Sequence, residues 1–100
     1  EIDQGIGGRV GAIVGQKLWR LATQHQVLCI THLAQLAGYG QQHYQVLKDV
    51  DDGRTITHVN RIEGDTRIHE LAQMLGEVSN GTLQSAHEIM QSVDEFARTT

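Results

Sequence analysis

The sequence QVLCITH at residues 26–32 carries a short apolar run that ends on a threonine and a histidine. The run, residues 27–30, is rich in β-branched side chains, which is typical of a strand buried on both faces of a parallel sheet. An amphipathic helix is predicted before it, from about Gly8 to Gln24. Because a helix followed by such a strand is half of a βαβ unit, we expect a further strand before Glu1. The apolar residues of the helix are Val10, Ile13, Val14, Leu18 and Leu21.

The rest of the chain predicts a short helix, a hairpin and two longer helices. The short helix is expected from Leu33 to about Ala37. Residues 43–62, HYQVLKDVDDGRTITHVNRI, predict a β-hairpin, because Asp52-Gly53 is a strong turn signal between two strand-like runs. One further helix is expected with Asp65 or Thr66 as its N-terminal cap and Gly76 as its C-cap, and the last begins within SNGT, residues 79–82. Their apolar stripes are Ile68, Leu71, Ala72 and Leu75, and Leu83, Ala86, Met90, Val93 and Ala97. The predicted fold class is α/β, with a mostly parallel sheet and a hairpin at one side.

Size and composition predict one globular domain or a piece of one. The chain has 100 residues, of which 39% are hydrophobic and 20% charged, within the range of soluble globular proteins. Its net charge of −4 predicts no general surface that would bind polyanions, so these residues alone are not expected to bind DNA. No apolar run is long enough to suggest a membrane span or a signal peptide. The single cysteine, Cys29, excludes an internal disulfide and is expected to be a small buried hydrophobe.

The chain begins EIDQGIGGRV, and three glycines, Gly5, Gly7 and Gly8, lead into the first predicted helix. A glycine-rich helix start can hold a phosphate, but this one lacks the Gly-Lys-Ser/Thr of a P-loop and the last glycine of the dinucleotide fingerprint. The alternative is a turn with positive φ angles and close packing. Glu1 and Asp3 are either solvated acids, or carboxylates of which one orients a nucleophilic water or binds a metal. Since the chain does not begin with methionine and begins inside a motif, we expect a fragment.

His32 directly follows the predicted strand, at the edge where open α/β sheets bind ligands. It is therefore a candidate site residue, and the alternative is a structural histidine bonded to backbone groups. His25, Cys29 and His32 could form a metal-binding face on one helix, but Cys29 lies in the predicted strand. No metal site is predicted.

These stretches together resemble the RecN family of bacterial DNA repair proteins, relatives of the SMC proteins with an ABC-type ATPase head. The resemblance is carried by EIDQGIGG, QVLCITHLAQLA, DVDDGRTITHV, RIHELAQMLG and TLQSAHEIM, and it covers nearly the whole chain. It implies that residues 1–100 are the C-terminal lobe of such a head, a partial P-loop NTPase fold that lacks the Walker A half and the coiled coil.

The resemblance also assigns roles. It implies that Glu1 is the glutamate that ends the Walker B motif, and that residues 3–8, with Asp3, Gly5, Gly7 and Gly8, form the D-loop. It makes His32 the switch histidine that reaches the γ-phosphate. Gly7 stands where many ABC proteins have an acidic residue, which favours RecN over a transporter. The aspartate that helps to hold Mg²⁺ would precede Glu1, so this chain alone is not expected to hydrolyse ATP.

For the full-length protein the resemblance implies ATP and Mg²⁺ as cofactors. It implies three partners: the N-terminal half of the same head, a second head and DNA. It implies no membrane partner, and a location in the bacterial cytoplasm at the nucleoid. Two alternatives are open, namely the head of another SMC-like or ABC-type ATPase, and a non-catalytic α/β interaction module.

Overall fold

The computed structural model describes residues 7–100 of the chain. Two helices, one β-hairpin and two further helices follow one another along these residues, which confirms the α/β class. The elements are α1 (Gly8–Leu21), α2 (Ala34–Ala37), β1 (His43–Asp51), β2 (Arg54–Ile62), α3 (Gly64–Met74) and α4 (Asn80–Thr99).

The hydrophobic core lies where α2, α3 and α4 meet. Its centre consists of Ala34 from α2, Leu71 and Ala72 from α3, and Ala86 from α4. Small residues at three of these four positions let the helices approach closely. Partly buried side chains surround this centre, and they confirm the apolar stripes predicted for α3 and α4: Ile68, Leu75, Leu83 and Met90, with Met74 and Ile89 beside them.

The ends of α3 and α4 follow the expected capping chemistry with one difference. Gly76 has a positive φ of 146° directly after the C-cap of α3, as predicted for a helix-ending glycine. Ser79 caps α4, since its Oγ accepts a hydrogen bond from the Thr82 N–H and the Thr82 hydroxyl accepts one from the Ser79 N–H. The N-cap of α3 is Glu63, two or three residues before the cap predicted at Asp65 or Thr66, because the helix already begins at Gly64 and Asp65 lies in its first turn.

The predicted hairpin is confirmed. β1 and β2 pair antiparallel over their full length, from His43 opposite Ile62 to Asp51 opposite Arg54. Asp52 and Gly53 form the turn, with φ angles of 53° and 78°. Two successive positive φ values are the signature of the type I′ turn, whose twist matches that of the strands.

The predicted strand at residues 27–30 is not formed within the described part of the chain. These residues have no regular secondary structure there, and the sheet that the structure describes is the two-stranded antiparallel hairpin. Leu28 and Ile30 are 88% and 69% exposed. The physical reason is that a strand exists only by pairing, and residues 7–100 supply no strand beside this run. The burial predicted for Cys29 is wrong for the same reason, since that side chain is exposed.

Helix α1 differs from its prediction in the face that it buries. Gly11 and Gly15 are buried, whereas Val10, Ile13 and Leu21 of the predicted apolar stripe are exposed by 45–48%. The helix packs through its glycines because they allow the closest approach to α2 and its flanking residues, whereas Val14 and Leu18 of the predicted stripe are half-buried. It ends at Leu21, three residues before the predicted Gln24, in a turn where the Thr23 hydroxyl donates to the Arg20 carbonyl.

An aromatic cluster joins α1 to α4. The ring of Phe96 on α4 has edge contacts with Trp19 on α1 and with Tyr39 after α2, at centroid distances of 5.4 and 5.5 Å. The guanidinium of Arg20 lies 5.0 Å from the centre of the same ring. These edge and cation–π contacts hold α1 against the helical core, although α1 contributes no large side chain to the core centre.

Candidate functional site

The structure describes three of the six predicted site residues. Gly7, Gly8 and His32 are described, whereas Glu1, Asp3 and Gly5 lie outside the described residues. The geometry of the described residues therefore concerns the start of α1 and the segment around His32.

Gly7 and Gly8 start helix α1, as predicted for the end of the glycine-rich loop. Gly7 is the N-cap with extended backbone angles (φ −88°, ψ 174°), and its carbonyl accepts the first helical hydrogen bond from the Gly11 N–H at 2.8 Å. Positive φ angles, the alternative expectation for this loop, occur at neither glycine. The first turn of α1 contains no acidic residue, and Gly7 provides no side-chain cap. The amide groups at this helix start are therefore not capped by the helix's own side chains.

Close packing does occur at Gly8. A Cβ placed on Gly8 would lie 2.8 Å from Nε2 of Gln35 on α2, so the side chain of Gln35 occupies the space that a larger residue would need. Gln35 is half-buried, and it lies three residues after His32. The packing thus places the start of α1 against the segment that begins with His32, and joins the two described parts of the predicted site.

The contact between the two segments continues along α1 through a stripe of glycines. A Cβ on Gly11 would lie 3.2 Å from Cδ1 of Leu33, and one on Gly15 would lie 2.9 Å from Cγ of Tyr39. Gly8, Gly11 and Gly15 follow one face of the helix at intervals of three and four residues. Gln16 adds a hydrogen bond from its Nε2 to the hydroxyl of Tyr39 at 3.1 Å. This glycine face is the feature that sequence reasoning missed, although its helical spacing was visible in the sequence.

His32 stands exposed between the apolar run and α2. The Leu33 N–H donates to the Thr31 hydroxyl at 3.0 Å, which bends the chain around His32 and leads into α2. Helix α2 is then held at its first residue, because Ala34 is almost fully buried in the core. An exposed histidine on a segment anchored in this way is accessible to a ligand. In its exposure to solvent, His32 differs from a histidine that is buried within the protein.

The other end of α2 is held by Arg67 from α3. Its Nη2 donates hydrogen bonds to the carbonyl oxygens of Ala37, Gly38 and Gly40 at 3.1, 3.2 and 2.8 Å. A cation at these carbonyls also matches the negative end of the helix dipole. Burial lowers the pKa of Arg67, and the nearby Asp94 carboxylate opposes that shift. Sequence reasoning did not identify this residue, since its role depends on a contact across 27–30 positions of the chain.

His43, the first residue of β1, lies near Arg67. Burial lowers the pKa of His43, and the positive charge of Arg67 lowers it further. Its Nδ1 is buried and has no hydrogen-bond partner among residues 7–100, as is true of Nε of Arg67. Neutral His43 therefore fits this location better than the protonated form.

Residues 7–100 contain neither a metal-binding cluster nor a helix that could cross a membrane. No group of three or more His, Cys, Asp or Glu side chains in this part of the chain could hold a metal ion. None of its helices combines the length and apolar character that crossing a bilayer requires.

The chain is similar to curated bacterial proteins over nearly its whole length. It is 47% identical over 91 residues to the DNA repair protein RecN of Deinococcus radiodurans, which covers 90% of this chain and 16% of that protein. It is 43% identical over 98 residues to RecN of Xylella fastidiosa, and 34% identical over 101 residues to RecN of Bacillus subtilis. These alignments cover 96% and 99% of this chain and 18% of each relative.

No model of a protein family matches the chain. The chain spans less than a fifth of the length of the curated relatives it matches. The resemblance to the RecN family of DNA repair proteins is therefore confirmed along nearly the whole chain, which matches a segment of these proteins and not their full length.

Proposed function

We propose that this chain is the C-terminal part of an ABC-type ATPase head in a RecN-like protein that acts in bacterial DNA double-strand break repair and recombination. The observation that carries the proposal is the similarity to RecN proteins together with the packing of Gly8 on Gln35, three residues after His32. The P-loop fold of the complete head, its ATPase activity and its DNA partner belong to this proposal.

In the proposed site, Glu1 orients the water that attacks the γ-phosphate of ATP. His32 donates a hydrogen bond to the same phosphate from the segment before α2, which suits its exposed position. Phosphoryl transfer requires mainly positioning and charge stabilisation, so a water-orienting carboxylate and a hydrogen-bond donor are sufficient roles for these two residues.

Residues 3–8 then act as the D-loop, with Asp3, Gly5, Gly7 and Gly8 close to a second head. Among residues 7–100, the start of α1 has no side-chain cap and no acid in its first turn, which is compatible with a nearby phosphate. When bound, Mg²⁺ would neutralise phosphate charge, and the described residues contain no cluster that would hold it. Its ligands are accordingly proposed to be ATP oxygens and residues beyond the described range.

The N-terminal half of the same head, a second head and DNA are the proposed partners of the full-length protein. Its proposed location is the bacterial cytoplasm, at the nucleoid. The RecN relatives favour this assignment over the head of another SMC-like ATPase, since the proteins from Deinococcus radiodurans, Xylella fastidiosa and Bacillus subtilis are all DNA repair proteins of that name.

The substitution Glu1→Gln in the full-length protein tests the proposal. The variant should still bind ATP, because the change is isosteric, and should hydrolyse it about 10²-fold or more slowly, because an amide cannot accept the proton of the attacking water. Nucleotide binding is measured by equilibrium titration and turnover by phosphate release. Unchanged turnover would remove the proposed role of Glu1 and favour a non-catalytic interaction module.

A further inference from the structure

Helix α2 connects the His32 segment to the core, and it is too short to hold its own position. It consists of Ala34–Ala37, which is one turn of about 6 Å. A single turn is unstable by itself in water, because fixing its backbone costs more free energy than its first hydrogen bond returns. Contacts with other elements therefore decide the position of α2 and of His32, two residues before it.

Apolar contacts with the core fix the first part of α2. Ala34 and Leu36 are 1% and 4% exposed. Apolar burial has no preferred direction, so it keeps α2 against the core and restricts movement of the helix along its own axis much less. Directional hydrogen bonds are required for that second restriction, and they occur at the other end of α2.

Arg67 provides these directional contacts from α3. Its Nη2 donates to the carbonyl oxygens of Ala37, Gly38 and Gly40, at 3.1, 3.2 and 2.8 Å. Hydrogen bonds from a charged donor are stronger than those between neutral groups. Arg67 is the fourth residue of α3, so its backbone belongs to a regular helix, and the guanidinium is attached to a fixed element. Three neighbouring carbonyls are thereby held at one point.

We infer that Arg67 is a positioning residue for His32, and that it sets the place of the imidazole relative to the γ-phosphate. Ala37, whose carbonyl is the first that Arg67 binds, follows His32 by five residues, and four of these form α2. A displacement at one end of a single turn is passed to its other end. The inference rests on the proposed role of His32 in ATP hydrolysis.

The kinetics of Arg67→Met in the full-length protein test the inference. Misplacement of a reacting group by about 1 Å can cost 10²-fold in rate, so at a temperature well below melting we expect kcat to fall by about tenfold or more. The KM for ATP should remain within about twofold, because the proposed contact of His32 is made to one phosphate only. An unchanged kcat, or a loss confined to KM, would overturn the inference.

Arg67→Lys is the second variant, for the case that Arg67→Met does not fold. It keeps the positive charge but replaces the planar guanidinium by a flexible ammonium group. Its kcat should fall by about threefold or more, because the lysine holds the carbonyls of α2 less rigidly. A kcat equal to that of the unmodified protein would contradict the positioning role.

A general loss of stability can also lower turnover, and Leu83→Ala controls for it. Leu83 lies on α4 and is partly buried against the core cluster. Its truncation should lower the melting temperature by an amount comparable with Arg67→Met, and should leave kcat within about twofold of the unmodified protein. Equal losses of kcat in the two variants would show that Arg67 contributes only stability, and would overturn the inference.

Double substitution with His32→Ala tests whether Arg67 acts through His32. In the His32→Ala background, Arg67→Met should lower the residual turnover by less than about twofold, since the group that it positions is absent. It should lower the melting temperature in both backgrounds, because the hydrogen bonds to α2 are lost in each. A further tenfold loss of turnover, by about the same factor as in the unmodified protein, would overturn the inference.

Turnover by the unmodified protein separates this inference from the proposed function. Absence of ATP hydrolysis there would remove the proposed function, and the role of Arg67 in turnover with it. Hydrolysis at the same rate by the unmodified protein and by Arg67→Met would overturn the inference alone and retain the proposed function.

Discussion

Gly15 of α1 lies directly against the aromatic ring of Tyr39, so closely that a Cβ at Gly15 would be 2.5 Å from Cδ2 of the ring. Tyr39 is itself fixed in place. Its hydroxyl accepts a hydrogen bond from Gln16, its ring has an edge contact with Phe96, and its side chain is buried. This contact positions α1, and through α1 it positions the start of the helix where Gly8 meets Gln35.

Substitution Gly15→Ala should therefore destabilise the protein. Overpacking costs about 1–3 kcal/mol, whereas replacing a helical glycine by alanine gains about 1 kcal/mol, so we expect a net loss of roughly 1 kcal/mol. Urea unfolding measures it. Gly81→Ala on α4 is the control, because its Cβ would be no closer than 3.8 Å to Ser79 Oγ, and it should be neutral or stabilising. A stabilised Gly15→Ala variant would show that α1 does not pack on Tyr39.

Substitution Arg67→Met should destabilise the C-terminal end of α2. It removes the donor to three carbonyl oxygens while it keeps an apolar side chain of similar length, and we expect a loss of about 2 kcal/mol. The measurement is again urea unfolding. Arg61→Met on the exposed part of β2 provides the comparison, with an expected change within about 0.5 kcal/mol. Equal losses of stability for both variants would mean that the Arg67 hydrogen bonds make no specific contribution to the free energy of unfolding.

The stability of the protein should fall in mild acid through His43. Burial and the charge of Arg67 lower its pKa in the folded protein below the ordinary value of 6.5. The unfolded chain therefore binds more protons below about pH 6.5, so this contribution is fully present above that pH and is lost as the pH falls towards the folded pKa. His43→Leu should unfold at a urea concentration that depends less on pH between about pH 7.5 and pH 5.5. His87→Leu, at an exposed position of α4, should keep the dependence of the unmodified protein.

Substitution His32→Ala in the full-length protein should abolish most ATP turnover and leave the melting temperature nearly unchanged. The side chain is exposed, so little packing is lost, and the proposed role is a hydrogen bond to the γ-phosphate. Phosphate release and thermal unfolding are measured on the same sample, with His87→Ala as a second exposed histidine. A large fall in melting temperature with normal turnover would instead identify a structural histidine.

Local chemistry explains which elements were predicted correctly. The type I′ turn at Asp52-Gly53 requires residues that accept positive φ, and the capping box at Ser79 requires a hydroxyl three residues before its partner. Both signals act over four residues or fewer, so they can be read directly from the sequence. The stripes of α3 and α4 were equally clear, because a helix with one apolar face buries that face.

The candidate site was predictable only in part. The position of His32 between an apolar run and a short helix was visible in the sequence, and so was the glycine-rich start of α1. The contact of Gly8 with Gln35 was not visible, because it joins residues 27 positions apart. The proposed roles of Glu1, Asp3 and Gly5 are still predictions, since those residues lie outside the described part of the chain.

The amino-acid sequence by itself determined the helices, the hairpin and its turn, because each depends on backbone preferences and on contacts between residues close in the chain. Tertiary structure decided which faces are buried. Helix α1 meets Leu33 and Tyr39 through Gly11 and Gly15, since only glycine permits their approach, whereas Val10, Ile13 and Leu21 of its predicted stripe are exposed. It also decided the state of residues 27–30, because a strand requires a neighbouring strand for its hydrogen bonds, and a preference within four residues cannot supply one.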